Sequence, residues 1–153
     1  MRNPAYLVHK DIPRVDLWFK LIVASILSLT LVLAVSLLFE DIVAASVMFA
    51  VTLFDALLLK AIIPRRYEIY NDRIRIVLGG PFALNIPFND IKEALPACGR
   101  KALAYRGLRL ATSNQGVVEI IREKGLNVVI SPSDRDTFLE QLSQAIEAAR
   151  SSA

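Results

Sequence analysis

The chain contains one cysteine, one histidine and one tryptophan among its 153 residues. The lone Cys98 excludes an internal disulfide framework and suits a reducing compartment. With no histidine or helix start placed beside it by sequence, it reads as an inert thiol rather than a reactive one. The lone His9 lies in a short polar entry. No HExxH, GxSxG, CxxC pair or GxxxxGK[ST] loop occurs, so zinc protease, serine hydrolase and P-loop chemistry have no carrier. No Asn-x-Ser/Thr sequon is present either.

The most informative absence is of charge. From Leu21 to Phe39, 19 residues pass without an ionisable side chain. Glu40-Asp41 interrupts, and the chain is apolar again to Leu59. At about 1.5 Å of helix rise per residue, each run matches the roughly 30 Å hydrocarbon layer of a bilayer. Two residues between the runs leave room only for a tight turn. Apolar residues make up 54% of the chain while charged ones reach 22%, which is compatible only because the two are segregated. The expected division is a cytoplasmic tail over 1–16, a transmembrane hairpin over 17–63 and one small domain over 64–150.

Basic residues flank the runs. Arg2, Lys10, Arg14 and Lys20 precede the first, while Lys60, Arg65, Arg66, Arg73 and Arg75 follow the second; the turn has none. The positive-inside rule then puts both termini in the cytoplasm, with the chain a multi-pass protein of a cytoplasmic membrane. A cleaved signal peptide ending near Ala34-Val35-Ser36 fits poorly, because another apolar run follows at once. Trp18, Phe19 and Lys20 stand where an interfacial anchor belongs. Ala24 with Ser28, and Ser46 with Ala50, are spaced to let helices approach closely. The expected use is packing within the hairpin, with self-association of copies as the alternative. Asp55 is the one ionisable group inside the second run. It lies about 8 Å of helix rise from Lys60, near the headgroups, and reads as a solvated or paired carboxylate rather than an ion pathway.

After Pro64 the period changes to two. Tyr67 and Ile69 share a face, as do Ile74, Ile76 and Leu78, with Asn71-Asp72 as the hairpin turn between them. Gly79-Gly80-Pro81 breaks the second strand and reads as a turn, not a phosphate cradle. Phe82, Leu84, Ile86 and Phe88 alternate onto one face. Val117–Ile121 and Leu126–Ile130 form a further hairpin around Arg122-Glu123-Lys124-Gly125. Ser131-Pro132 is expected to open the terminal helix, with Ser131 as N-cap and Phe138, Leu139, Leu142 and Ile146 as its apolar stripe.

On these residues the chain resembles the membrane-bound bacterial pleckstrin-homology-like proteins. The resemblance is carried by Tyr67-Glu68-Ile69-Tyr70-Asn71-Asp72-Arg73-Ile74 and Ile86-Pro87-Phe88-Asn89-Asp90-Ile91. Gly116-Val117-Val118-Glu119-Ile120 and Ile130-Ser131-Pro132-Ser133-Asp134 extend it, so that it covers residues 17–150. It implies an α+β membrane protein whose PH-like domain is a bent, partly open β-barrel of about seven strands closed by a C-terminal helix. The terminal helix has no Trp, which the better-known eukaryotic members place there, and Phe138 is the candidate to fill that space.

No catalytic or metal-binding constellation is legible, and no cofactor is implied. Asp90, Glu93, Glu119 and Glu123 read as solvated surface. Candidates for the membrane surface or lipid headgroups are Lys60, Arg65, Arg66, Arg100, Lys101, Arg106 and Arg109. The last four fall in a stretch, Ala94 to Val118, that contains no acid. The expected activity is that of a non-catalytic, membrane-anchored adaptor or regulatory module, because edge strands and grooves accept another chain. Anchoring also concentrates partners in the same membrane. The alternative is recognition of anionic headgroups by the basic face. Expected partners are therefore the bilayer and another membrane protein. Dispersed basic residues argue against nucleic acid.

Overall fold

A computed structural model describes residues 5–97 and 107–151. Two apolar helices, α1 (Leu17–Leu37) and α2 (Ile42–Ile62), are followed by a strand-rich domain and a terminal helix, α3 (Arg135–Ser151). Each of α1 and α2 has 21 residues and a mean hydropathy of 2.3, long and apolar enough to cross a membrane. Asp41 caps α2, its Oδ1 accepting from the N–H groups of Val43 and Ala44 at 2.8 and 3.2 Å. Such a cap satisfies the first-turn donors that have no intrahelical partner. The residues buried between the helices are Ala34 and Ala45, close to the turn. Ala24, Ser28, Ser46 and Ala50, expected to pack within the hairpin, are all exposed. Antiparallel helices joined by a tight turn approach most closely next to it, so the small residues nearest the turn become the contact.

The entry segment is not a tail. Leu7–Asp11 forms a strand, β1, antiparallel to β2 (Pro64–Tyr70), and thus belongs to the domain beyond the hairpin. β3 (Arg73–Leu78) and β4 (Ala83–Pro87) complete a sheet in the order β1-β2-β3-β4. A 3-10 turn, Phe88–Asp90, leads to β5 (Ile91–Ala97). With β6 (Leu108–Arg109), β7 (Val117–Arg122) and β8 (Val128–Ile130), it makes the second sheet, β5-β7-β8-β6. The β2–β3 and β7–β8 hairpins are as the alternation predicts. The single barrel of about seven strands is not found among the described residues. The eight strands of the described residues divide into two four-stranded sheets, because the 3-10 turn redirects the chain after β4 and β1 adds a strand to the first sheet. β6 pairs with β8 in parallel, which no local pattern announces.

The core lies between the sheets and under α3. Tyr67, Ile69, Ile74, Ile76, Ile86, Val118, Ile120, Val128, Ile130, Phe138 and Leu142 are fully buried there. Phe138 takes the central place expected of it, edge-on to Tyr67 at 6.2 Å and to His9 at 6.5 Å between ring centroids. Phe82 departs from the alternation: β4 begins after it, and its side chain is 63% exposed. α3 starts later than Ser131-Pro132 suggests. Asp134 is its cap, accepting from Thr137 N at 3.2 Å and Thr137 Oγ1 at 2.7 Å. Ser131 is instead buried, its Oγ accepting from Thr112 N at 3.0 Å, and Pro132 bridges to Pro13. The hydroxyl that looks like a cap is used to join two loops.

Candidate functional site

Two surfaces combine exposure with convergent polar groups: the end of the domain against the helices, and a groove beside β5.

The helix-proximal end is tied to both helices. On the α1 side, Arg14 N–H donates to Ser131 O at 2.8 Å, and Thr112 Oγ1 donates to Arg14 O at 2.6 Å. Asp16 N–H donates to Thr112 O at 3.2 Å, while Asp16 Oδ2 accepts from Asn114 N at 2.9 Å and Trp18 Nε1 at 3.2 Å. Burial alone would raise the Asp16 carboxyl. The Asn114 N–H, the Ser113 hydroxyl, the Trp18 indole and the Arg14 charge outweigh it and hold the group below the usual carboxylate range. Hydrogen bonds to the ionised form favour that form. β1 also reaches α3: the buried Asp11 accepts from the Ser133 hydroxyl and from Asp134 N. A carboxylate at a helix N-terminus satisfies free donors and complements the helix dipole.

On the α2 side the chain passes through Ile63 directly into β2, and the Gly79-Gly80 turn presses on the last helical turn. A Cβ added at Gly79 would lie 1.7 Å from Lys60 O. This contact, rather than a phosphate, explains the glycine.

The predicted basic residues divide. Lys60, in the last turn of α2, and Arg65, at the start of β2, are exposed at the helix exit. Arg66 is committed elsewhere, its Nε 2.9 Å from Oε1 of the mostly buried Glu68. Arg109 donates to Asn114 Oδ1 at 3.0 Å and so sits one residue contact from Asp16. Arg100, Lys101 and Arg106, with Cys98, lie outside the described residues. Asp55 is half-buried on α2. Lys60, Arg65 and Arg109 are thus the described candidates brought to the helix-proximal end. Arg14, noted in the sequence only for its basic charge before the first span, and Asn114, which nothing local marks, also belong there.

The groove runs between β5 and α3, with a volume of about 430 Å³. Ala94, Leu139, Leu142 and Ile146 form its apolar part, and Lys92, Glu93, Glu140, Glu147 and Arg150 its charged part. Among the described residues β5 is an edge strand, hydrogen-bonded to β7 on one side. Pro96 lacks an N–H and blunts the far part of that edge. Sequence reading anticipated open grooves in general but not this one, since its walls are about 45 residues apart in the chain and meet only through the fold.

Below both surfaces lies a buried hydroxyl network. Tyr67 OH donates to Leu110 O at 3.2 Å and accepts from Ser131 N at 3.4 Å. Burial pushes the Tyr67 phenol up to about 12, so it is a neutral structural group at physiological pH. Among the described residues, no group of three or more His, Cys, Asp or Glu side chains is placed to hold a metal ion.

No curated protein and no solved structure matches the chain. The family model described as Bacterial PH domain matches residues 65–145, from the start of β2 well into α3. With more than half of its residues matched, the chain belongs to the bacterial PH domain family.

Proposed function

We propose that this chain is a non-catalytic adaptor or regulatory module, held in a cytoplasmic membrane by α1 and α2, with both termini cytoplasmic. Its PH domain binds an extended segment of another membrane protein in the groove between β5 and α3. The observation that carries this reading is the exposed β5 edge beside an apolar floor flanked by charges of both signs. A strand added at Lys92–Leu95 gains main-chain hydrogen bonds, and an apolar side chain of the partner reaches Ala94, Leu139 and Ile146. Anchoring in the same membrane raises the effective concentration of such a partner, so a modest groove is enough. Bacterial PH domains suit this role as modules for interaction or lipid binding.

The test is photo-crosslinking in native membranes, with the full chain carrying p-benzoylphenylalanine at Ser143 or, as a control, at Leu126. A discrete protein adduct at Ser143 that disappears on Ala94→Arg is the expected result. Adducts identical at the two positions, or unaffected by Ala94→Arg, would reject the groove.

A second reading, recognition of anionic headgroups, has the exposed Lys60 and Arg65 at the α2 exit in its favour. Each basic residue near an anionic leaflet contributes about 1 kcal/mol. Arg66 contributes less, because Glu68 already pairs it. In nanodiscs of neutral against anionic lipid, headgroup-selective protection of the domain that survives physiological salt would favour this reading over the groove.

A further inference from the structure

Phe82 occupies a position that core packing does not explain. Alternation assigns it to the buried face of β4, yet it ends a turn closed by Leu78 N–H donating to Phe82 O at 3.1 Å, and its side chain is exposed. That turn is fixed to α2. A Cβ at Gly79 would collide with Lys60 O, and one at Gly80 would be 3.2 Å from Ala61 Cβ and 3.5 Å from Phe82 Cδ2. The ring is therefore held within a side-chain width of the last turn of α2. Pro81 beside it is exposed as well.

We infer that Phe82 is an interfacial anchor, entering the headgroup–acyl boundary of the leaflet from which α2 exits and holding the PH domain in one orientation on the bilayer. The inference rests on the reading that α1 and α2 span the membrane. A helix of 21 residues rises about 31 Å, so a spanning α2 puts Ala61 at the edge of the hydrocarbon, with Phe82 at the same level. Aromatic rings are favoured at that depth. Trp18 and Phe19 mark the same level at the start of α1. Two adjacent helices leave the hairpin, with the domain tied to it, free to tilt in the bilayer about the line joining their ends. A third contact, off both helix axes, removes that freedom. Lys60 and Arg65 on the same side attract the phosphates above the ring. The β2–β3 turn lies at the other end of β2, seven residues away, and faces the cytoplasm in this orientation.

The experiment uses the full chain in phosphatidylcholine vesicles, in a Trp18→Phe background that removes the native indole. Single tryptophans are introduced by Phe82→Trp, by Phe54→Trp within α2, and by Leu126→Trp in the exposed β7–β8 turn. Phe82→Trp should give blue-shifted emission, quenched several-fold more by lipids brominated high in the acyl chain than by aqueous iodide. Leu126→Trp should show the reverse, and Phe54→Trp should be quenched by brominated lipid alone. If Phe82→Trp behaves like Leu126→Trp while Phe54→Trp is quenched by lipid, the anchor is overturned and the spanning hairpin stands. If Phe54→Trp also escapes lipid quenching, the spanning reading fails and the anchor with it. A nitroxide at the same site (Phe82→Cys with Cys98→Ser) gives an independent reading. Oxygen should reach it more readily than a water-soluble nickel chelate, and the opposite order overturns the proposal.

Discussion

The hairpin and the PH domain are built largely from the same side chains, leucine, isoleucine, valine and phenylalanine, and treat them in opposite ways. In α1 and α2 the buried residues are two alanines, while Leu29, Val32, Ile42, Leu53 and Phe54 are all exposed. In the domain, the isoleucines of β2, β3 and β4 are fully buried. A soluble domain cannot leave that much apolar surface in water, because burial contributes roughly 25 cal/mol per Å². In the proposed reading a bilayer covers the apolar faces of the hairpin, whereas the domain buries its own. The two are joined at both helix ends, through Asp16 with Thr112 and Asn114 on one side and through Gly79 on Lys60 on the other.

The largest break in this comparison is Phe138→Ala. Its ring fills the centre of the domain against Tyr67, so truncation should destabilise the domain by about 3–5 kcal/mol. Denaturant titration in detergent should show the domain transition shifted, with the helicity of the hairpin retained. If both parts unfold together, the two are one cooperative unit and the contrast fails.

Tyr67→Phe keeps the packing but removes the hydroxyl shared by Leu110 O and Ser131 N. Leaving those buried groups unpaired should cost about 1–3 kcal/mol. Wild-type stability should itself fall as pH rises from the ordinary tyrosine range near 10 toward about 12, since the folded state holds the phenol proton longer than the unfolded chain. Tyr67→Phe should remove that alkaline loss, read by fluorescence-monitored unfolding against pH.

Gly79→Ala tests the joint. A methyl group at 1.7 Å from Lys60 O cannot be accommodated without moving the turn off the helix, at a cost of about 1–3 kcal/mol. The sharper readout is local: amide exchange in Leu78–Phe82 should accelerate while that of β7 is unchanged. Uniform acceleration would mean that the turn is not a separate clamp.

Acid should have the smallest effect. Asp16 and Asp134 both have depressed carboxyl pKa values, Asp134 chiefly through the Thr137 hydroxyl and N–H. Their contributions are present above the unfolded aspartate value of about 3.9 and are lost as pH falls through the lower folded values. Asp16→Asn should flatten the acid limb of the stability curve. An unchanged limb would mean that other carboxylates carry it.

Much of the domain was legible because its signals are local. Alternation placed Tyr67, Ile69, Ile74 and Ile76 in the core, and Asn71-Asp72 lies between the two strands of its hairpin. Phe138 was legible as the core residue of α3 from its stripe. The failures share one cause. β1 pairs with a strand more than 50 residues away across the hairpin, and a polar five-residue strand has no periodicity of its own to announce that. Phe82 fits the alternation of β4 and is excluded from it by a turn bond and by the nearness of α2. Ser131 has the form of an N-cap but is drawn into the Thr112 network. For the site, Lys60 and Arg65, candidates from charge placement, are exposed at the α2 exit. The groove was not, since β5 and α3 are brought together only by the closing of the domain.

The sequence by itself determined that two long apolar helices precede a strand-rich domain with a terminal helix, since hydrophobic run length and period are properties of neighbouring residues. It also determined the family, whose model matches residues 65–145. Only the tertiary structure decided that the entry strand belongs to the domain beyond the hairpin, that the strands form two sheets, and that Phe82 stands against α2 instead of in the core. Each of those outcomes depends on contacts between distant segments, whose free energy is gained only once the chain has closed around them.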